Sequence, residues 1–99
     1  MITFVRTATI APGKFAEAMG YAHQIAKVVE KITGHKVGVS IPIGGNPFRV
    51  AWVLALPDLA SVESSMGKLL GDAEYVQSEA AGASLFLPGS AHDEMWRGV

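Results

Sequence analysis

The sequence predicts an α+β domain in the order β, α, β, β, α, β, with both helices on one face of a four-stranded antiparallel sheet. Three observations predict it. β-Branched and aromatic residues cluster and alternate in short segments. Apolar residues spaced three and four apart mark the helices. Glycine and proline pairs separate one kind of segment from the other.

Residues 2–10, Ile-Thr-Phe-Val-Arg-Thr-Ala-Thr-Ile, read as the first strand, with Ile2, Phe4, Ala8 and Ile10 on one parity. Pro12-Gly13 ends it. From Lys14 to Thr33, Phe15, Ala18, Met19, Ala22, Ile25, Ala26, Val29 and Ile32 form a helical stripe, and Glu17, Gln24, Lys27 and Lys31 form its solvated face. Gly34 sits where a helix C-terminal glycine belongs. Lys36–Ile43 and Phe48–Leu56 read as a hairpin across Gly44-Gly45-Asn46-Pro47. Both parities of Phe48–Leu56 are apolar, so this strand is expected to be covered on both sides.

Asp58 is the expected N-cap of a second helix, with Leu59, Val62, Met66, Leu69 and Leu70 as its buried stripe. Gly71-Asp72 interrupts it, and Ala73–Ala80 forms a further short helix that Gly82 breaks. Ser84–Leu87 is expected to be the final strand, stopped by Pro88-Gly89. Residues 90–99 then form a tail in which Met95 and Trp96 should pack on the body or on a partner. Right-handed crossovers give the strand order 4-1-3-2.

The chain has 99 residues, enough for one domain spanning 1–99. It is 49% apolar and only 17% charged. A domain this small buries only about 65% of its unfolded surface. The apolar surplus calls for a ligand cavity or a second copy, and a homodimer packed through the open sheet face is expected. The net charge is -1 with no basic run, so a nucleic-acid footprint is absent. No apolar stretch reaches membrane-spanning length. The opening residues read as a strand and not a leader, and the absence of cysteine fits the cytoplasm. With no cysteine, thiol catalysis and thiolate metal sites are excluded.

His23, His35 and His92 show no metal-ligand spacing, so no metal site is expected. Gly44-Gly45-Asn46-Pro47 lacks the ending of a phosphate loop, and Ser64-Ser65 lacks a nucleophile elbow. Asp58, Asp72, Asp93 and Glu94 read as cap, turn and tail residues, so no carboxylate pair emerges. No catalytic residue is assigned. Arg6 and Trp52 are the main candidates for ligand binding, with Phe4, Phe48 and Tyr21 behind them. The alternatives are a structural salt bridge for Arg6 and a core position for Trp52. The helix layer should take the small parity Ala51, Val53 and Ala55. Trp52 and Arg6 would then face the open side, in the cleft between subunits, because an arginine beneath two helices is hard to solvate.

Phe4-Val5-Arg6-Thr7-Ala8-Thr9-Ile10 followed by Pro12-Gly13-Lys14 resembles the opening strand and turn of NIPSNAP-like proteins. Arg6, Thr7, Pro12, Gly13 and Lys14 carry the match. Trp52 and Asp72-Ala73-Glu74-Tyr75 are also similar. The sequence departs from the pattern at Phe4, where an acidic residue is usual, and at Ala8, where an aromatic is usual. The resemblance implies a ferredoxin-like dimeric α+β barrel, in a superfamily that includes small antibiotic-biosynthesis monooxygenases. Three functions follow as expectations: a small apolar or aromatic ligand in the barrel cleft, a cofactor-independent monooxygenase, or a dimerisation module with no ligand. No cofactor is expected, with haem left open because relatives in the superfamily bind it.

Overall fold

A computed structural model describes all residues, 1–99. Four strands, β1 (Ile2–Thr9), β2 (Val37–Ser40), β3 (Arg49–Leu56) and β4 (His92–Arg97), form one sheet in the order β2-β3-β1-β4, with every neighbouring pair antiparallel. Three helices, α1 (Phe15–Thr33), α2 (Leu59–Leu70) and α3 (Ala73–Gly82), pack with one another, and α1 and α2 also meet β3. The expected strand order is observed, and the helix following Gly71-Asp72 forms as a separate element.

The helix ends follow from local chemistry. Gly34 adopts φ +76°, a left-handed conformation in which its N–H donates to the Glu30 carbonyl and closes α1. Asp58 caps α2 by accepting from the Ser61 N–H at 2.8 Å. Asp72 caps α3 by accepting from the Tyr75 N–H at 3.0 Å. These caps fix where α3 starts, and so where Tyr75 stands.

The last strand differs from expectation. Ala83–Leu85 is a turn of 3-10 helix, and only an isolated bridge between Ile10 and Phe86 has strand pairing. The fourth strand comes from the segment read as a tail. Its residues, His-Asp-Glu-Met-Trp-Arg, have little intrinsic strand preference. Tertiary pairing overrides that preference, because β1 offers a free edge along Ile2–Thr7. The Ser90 hydroxyl guides the chain there, accepting from the Thr9 N–H at 3.1 Å and donating to the Leu87 carbonyl at 2.7 Å. The turn between β2 and β3 is also longer than the four residues expected, since both strands stop short of it.

Register settles which side chains share a face. Phe4 lies opposite Leu54, Arg6 opposite Trp52, and Ala8 opposite Val50. Directly paired residues project to the same side. The Trp52 indole N–H donates to the Ala22 carbonyl of α1 at 3.1 Å, so this side is the one under the helices. The small parity Thr3, Val5, Thr7, Ala51, Val53 and Ala55 is left on the bare face. The expected assignment of faces is therefore reversed. The close approach is made by small residues on the helix, not on the strand. Ala18 and Ala22 of α1 are fully buried, and Ala26 nearly so.

Only 14 of the 99 residues are buried, which leaves much of the apolar content of the single chain on the surface.

Candidate functional site

Between the covered face of the sheet and the helices lies a cavity of about 370 Å³. Its floor is Phe4, Arg6 and Ala8 of β1 with Trp52, Leu54 and Leu56 of β3. Tyr21, Ile25 and Val29 of α1 form one wall, and Val62, Met66 and Leu69 of α2 another. Tyr75 and Glu79 of α3 and the segment 86–91 complete it. The volume and the mostly apolar lining are those of a small-molecule pocket.

Large side chains from the strands and from all three helices line the cavity. Trp52, Tyr21 and Phe86 form an aromatic cluster at one end. The Phe86 ring lies edge-on to Trp52 at 5.8 Å and to Tyr21 at 5.7 Å between centroids. With its N–H committed to Ala22, Trp52 presents only its ring face and edge to a ligand. Gly82 is required beside Tyr21, because a Cβ at that position would run into the Tyr21 ring.

Arg6 is not buried alone. Its Nε donates to Asp93 Oδ1 at 2.6 Å and its Nη2 to Asp93 Oδ2 at 2.8 Å. The two residues face each other across the β1–β4 register. The hydrogen bond to Asp93 holds the guanidinium above its ordinary value. This geometry is bidentate and planar. The side chains remain 31% and 40% exposed, so the pair contributes at most about 1 kcal/mol and acts mainly to orient both groups. The guanidinium carbon also stands 5.9 Å from the Phe4 ring centroid.

Tyr21 and Tyr75 present phenol hydroxyls in the wall, Tyr75 buried and Tyr21 partly so. Burial pushes both phenols up to about 12, and the charge of Glu79 pushes in the same direction. Both are therefore protonated at neutral pH. They can donate hydrogen bonds but cannot serve as bases there. Glu79 is the carboxylate that lines the cavity.

Of the residues singled out from sequence, the structure brings Arg6, Trp52, Phe4 and Tyr21 into one cavity. Phe48 stands apart from them. It is 56% exposed just before β3, and its carbonyl accepts from the Ile10 N–H at 2.7 Å. The cavity lies on the helix side, whereas the expected place for Arg6 and Trp52 is the open face between subunits. Asp93, Tyr75, Glu79 and Phe86 were missed. Asp93 carried a usable signal, because it alternates with Met95 and Arg97 on one parity of a segment long enough to be a strand.

No family model matches the sequence, and no curated protein does. Solved structures do match. An uncharacterised NIPSNAP domain protein from Burkholderia xenovorans superposes with a TM-score of 0.85 at 15% identity, over 100% of this chain and 95% of that one. The fold is that of the NIPSNAP domain structures. A NIPSNAP family protein from Agrobacterium tumefaciens gives a TM-score of 0.84 at 18% identity, covering 99% of this chain and 92% of that one. A protein from Nitrosomonas europaea, described as an antibiotic biosynthesis monooxygenase, gives 0.75 at 11% identity, covering 100% and 99%. At these identities the likeness speaks for the fold alone. On this NIPSNAP-type frame the cavity sits under the helices, and the other face of the sheet is bare.

Proposed function

We propose that this protein binds a small apolar or aromatic molecule in the crevice between the sheet and the helices, and works as a homodimer closed through the bare sheet face. The observation that carries the binding reading is the cavity itself, about 370 Å³ and walled by Trp52, Tyr21, Phe86 and aliphatic side chains. A dimerisation module without a ligand would have no use for such a space, and its large core side chains would close it. The bare face supports the dimer. Thr3, Val5, Thr7, Ala51 and Val53 are small or β-branched and half-buried, and Ala55 is exposed. Along β1 and β3, two such faces can stack about 10 Å apart.

The test of binding uses Trp52 as the reporter in a Trp96→Phe background, which removes the second of the two tryptophans. Neutral bicyclic and tricyclic aromatics should quench it saturably. Val62→Phe, which fills the cavity from α2, should abolish the response while circular dichroism stays unchanged. A folded protein that shows no saturable change with any member of such a panel contradicts the reading.

A second reading, cofactor-independent oxygenation of an aromatic substrate, is favoured by the likeness to the Nitrosomonas europaea structure. It needs a group that takes a proton from the substrate. With both tyrosines protonated, Glu79 is the residue in the wall that could do so. Oxygen uptake with a tricyclic phenol should then fall on Glu79→Gln while binding persists. No uptake by the native protein leaves binding as the function.

A further inference from the structure

We propose that the crevice selects uncharged aromatic molecules bearing a hydroxyl or carbonyl oxygen, and discriminates against the corresponding carboxylates. This rests on the binding reading above and names the ligand class. It follows from how the charges in the wall are already matched. Arg6 is the one basic side chain lining the cavity. An apolar pocket with a single arginine ordinarily suggests an anion site. Here the fork of that arginine is filled, with both oxygens of Asp93 engaged by Nε and Nη2. The pair is neutral as a unit, and its best bidentate edge is closed to any second carboxylate.

The remaining charge in the wall has the opposite sign. Glu79 lies beside Tyr75 and Tyr21, where its charge acts on both phenols. An incoming carboxylate would lose its hydration, meet no open cation, and stand near Glu79. Burying a charge on those terms is strongly unfavourable. A neutral ligand meets a complementary set instead. The protonated hydroxyl of Tyr21 can donate to a ligand oxygen, while that of Tyr75 is directed at Glu79. Glu79 can accept from a ligand hydroxyl. The rings of Trp52 and Phe86 supply the stacking surface.

The experiment compares 2-naphthol with 2-naphthoate by isothermal titration calorimetry at pH 7. Native protein should bind the naphthol about tenfold or more tightly than the naphthoate. Asp93→Asn opens the arginine fork and should raise naphthoate affinity by about tenfold while leaving naphthol little changed. Should that variant fold poorly, the double variant Arg6→Met/Asp93→Asn removes the pair without altering the local charge. It should keep naphthoate binding within about threefold of native. Native protein that prefers naphthoate overturns the proposal, as does an Asp93→Asn protein with unchanged selectivity. So does a large loss of naphthoate affinity in the double variant, because Arg6 would then be its receptor. If native protein binds neither compound, the selectivity proposal is overturned, and the binding reading falls with it only when the whole aromatic panel also gives no saturable change.

Discussion

The two faces of the sheet are both rich in apolar side chains, yet one is rough and the other smooth. The covered face carries Phe4, Trp52, Leu54 and Leu56, together with Arg6 held by its carboxylate partner Asp93 across the β1–β4 register. The bare face carries Thr3, Val5 and Thr7 of β1 against Ala51, Val53 and Ala55 of β3. Beside it β4 places His92, Glu94 and Trp96, linked by a His92–Glu94 contact of 3.3 Å and a Trp96 N–H bond to Glu94 at 3.1 Å. On the rough face the helices leave a cavity of about 370 Å³. A smooth face leaves no such space and fits a flat partner. The cavity and the bare face thus come from the alternation of one pair of strands.

The sharpest contrast between the faces is the response to one introduced charge. Ala22→Asp puts a carboxylate under the helices at a position with no exposure. It should remove several kcal/mol, roughly the stability of a small domain, and leave the chain largely unfolded by circular dichroism. Val53→Asp on the bare face should leave a folded chain with half the native mass by light scattering. A dimer that survives Val53→Asp, or a chain that unfolds with it, would break the contrast.

A smaller effect on the covered face is expected from Gly82→Ala. The added methyl must displace the Tyr21 ring, so stability should fall by about 1–3 kcal/mol in thermal unfolding, and probe binding should weaken as the cavity wall shifts. The same change would be silent in binding if Tyr21 did not line the site.

Much of this was legible in the sequence. The 3-and-4 spacing from Phe15 to Ile32, the Gly34 terminus and the Asp58 cap are local signals, and each is realised where expected. Arg6 and Trp52 could be placed on one face because strand parity and strand order together imply it. The side of the sheet they take could not be read that way. It depends on whether the strand or the helix supplies the small residues at the contact, and both Ala51–Ala55 and Ala18–Ala26 qualify in sequence. The last strand was hidden for a different reason. His92–Arg97 pairs because β1 has an open edge and Asp93 meets Arg6, a contact 87 residues away in sequence. Ser84–Leu87 has the better strand composition, but it turns at the mouth of the cavity and supplies Phe86 to the aromatic cluster.

Milder still is the titration of the two tyrosines, which both lie in the cavity wall. Their raised values mean that the fold favours the neutral phenols. That contribution is fully present below the ordinary tyrosine value and is lost as pH rises towards about 12. Ultraviolet absorbance should therefore show tyrosinate only well above the ordinary range, in one alkaline step that tracks unfolding. Normal titration of either residue would place it outside the wall. The smallest effect is at Asp58, whose carboxyl is held below its ordinary value by the backbone and side chain of Ser61. Its contribution is present above the ordinary carboxylate value and fades as pH falls through the lowered one. Asp58→Asn should flatten the acid side of the stability profile and leave probe binding unchanged.

The most direct measurement is a 2-naphthol titration of the Val53→Asp protein, with its mass determined in the same solution. If the site lies wholly beneath the helices of one chain, the half-mass protein should bind the probe within about threefold of the native affinity, since the substituted face does not touch the cavity. Loss of binding together with loss of the dimer, in a chain that remains folded, would show that the site is shared between subunits and would contradict the separation of the two faces.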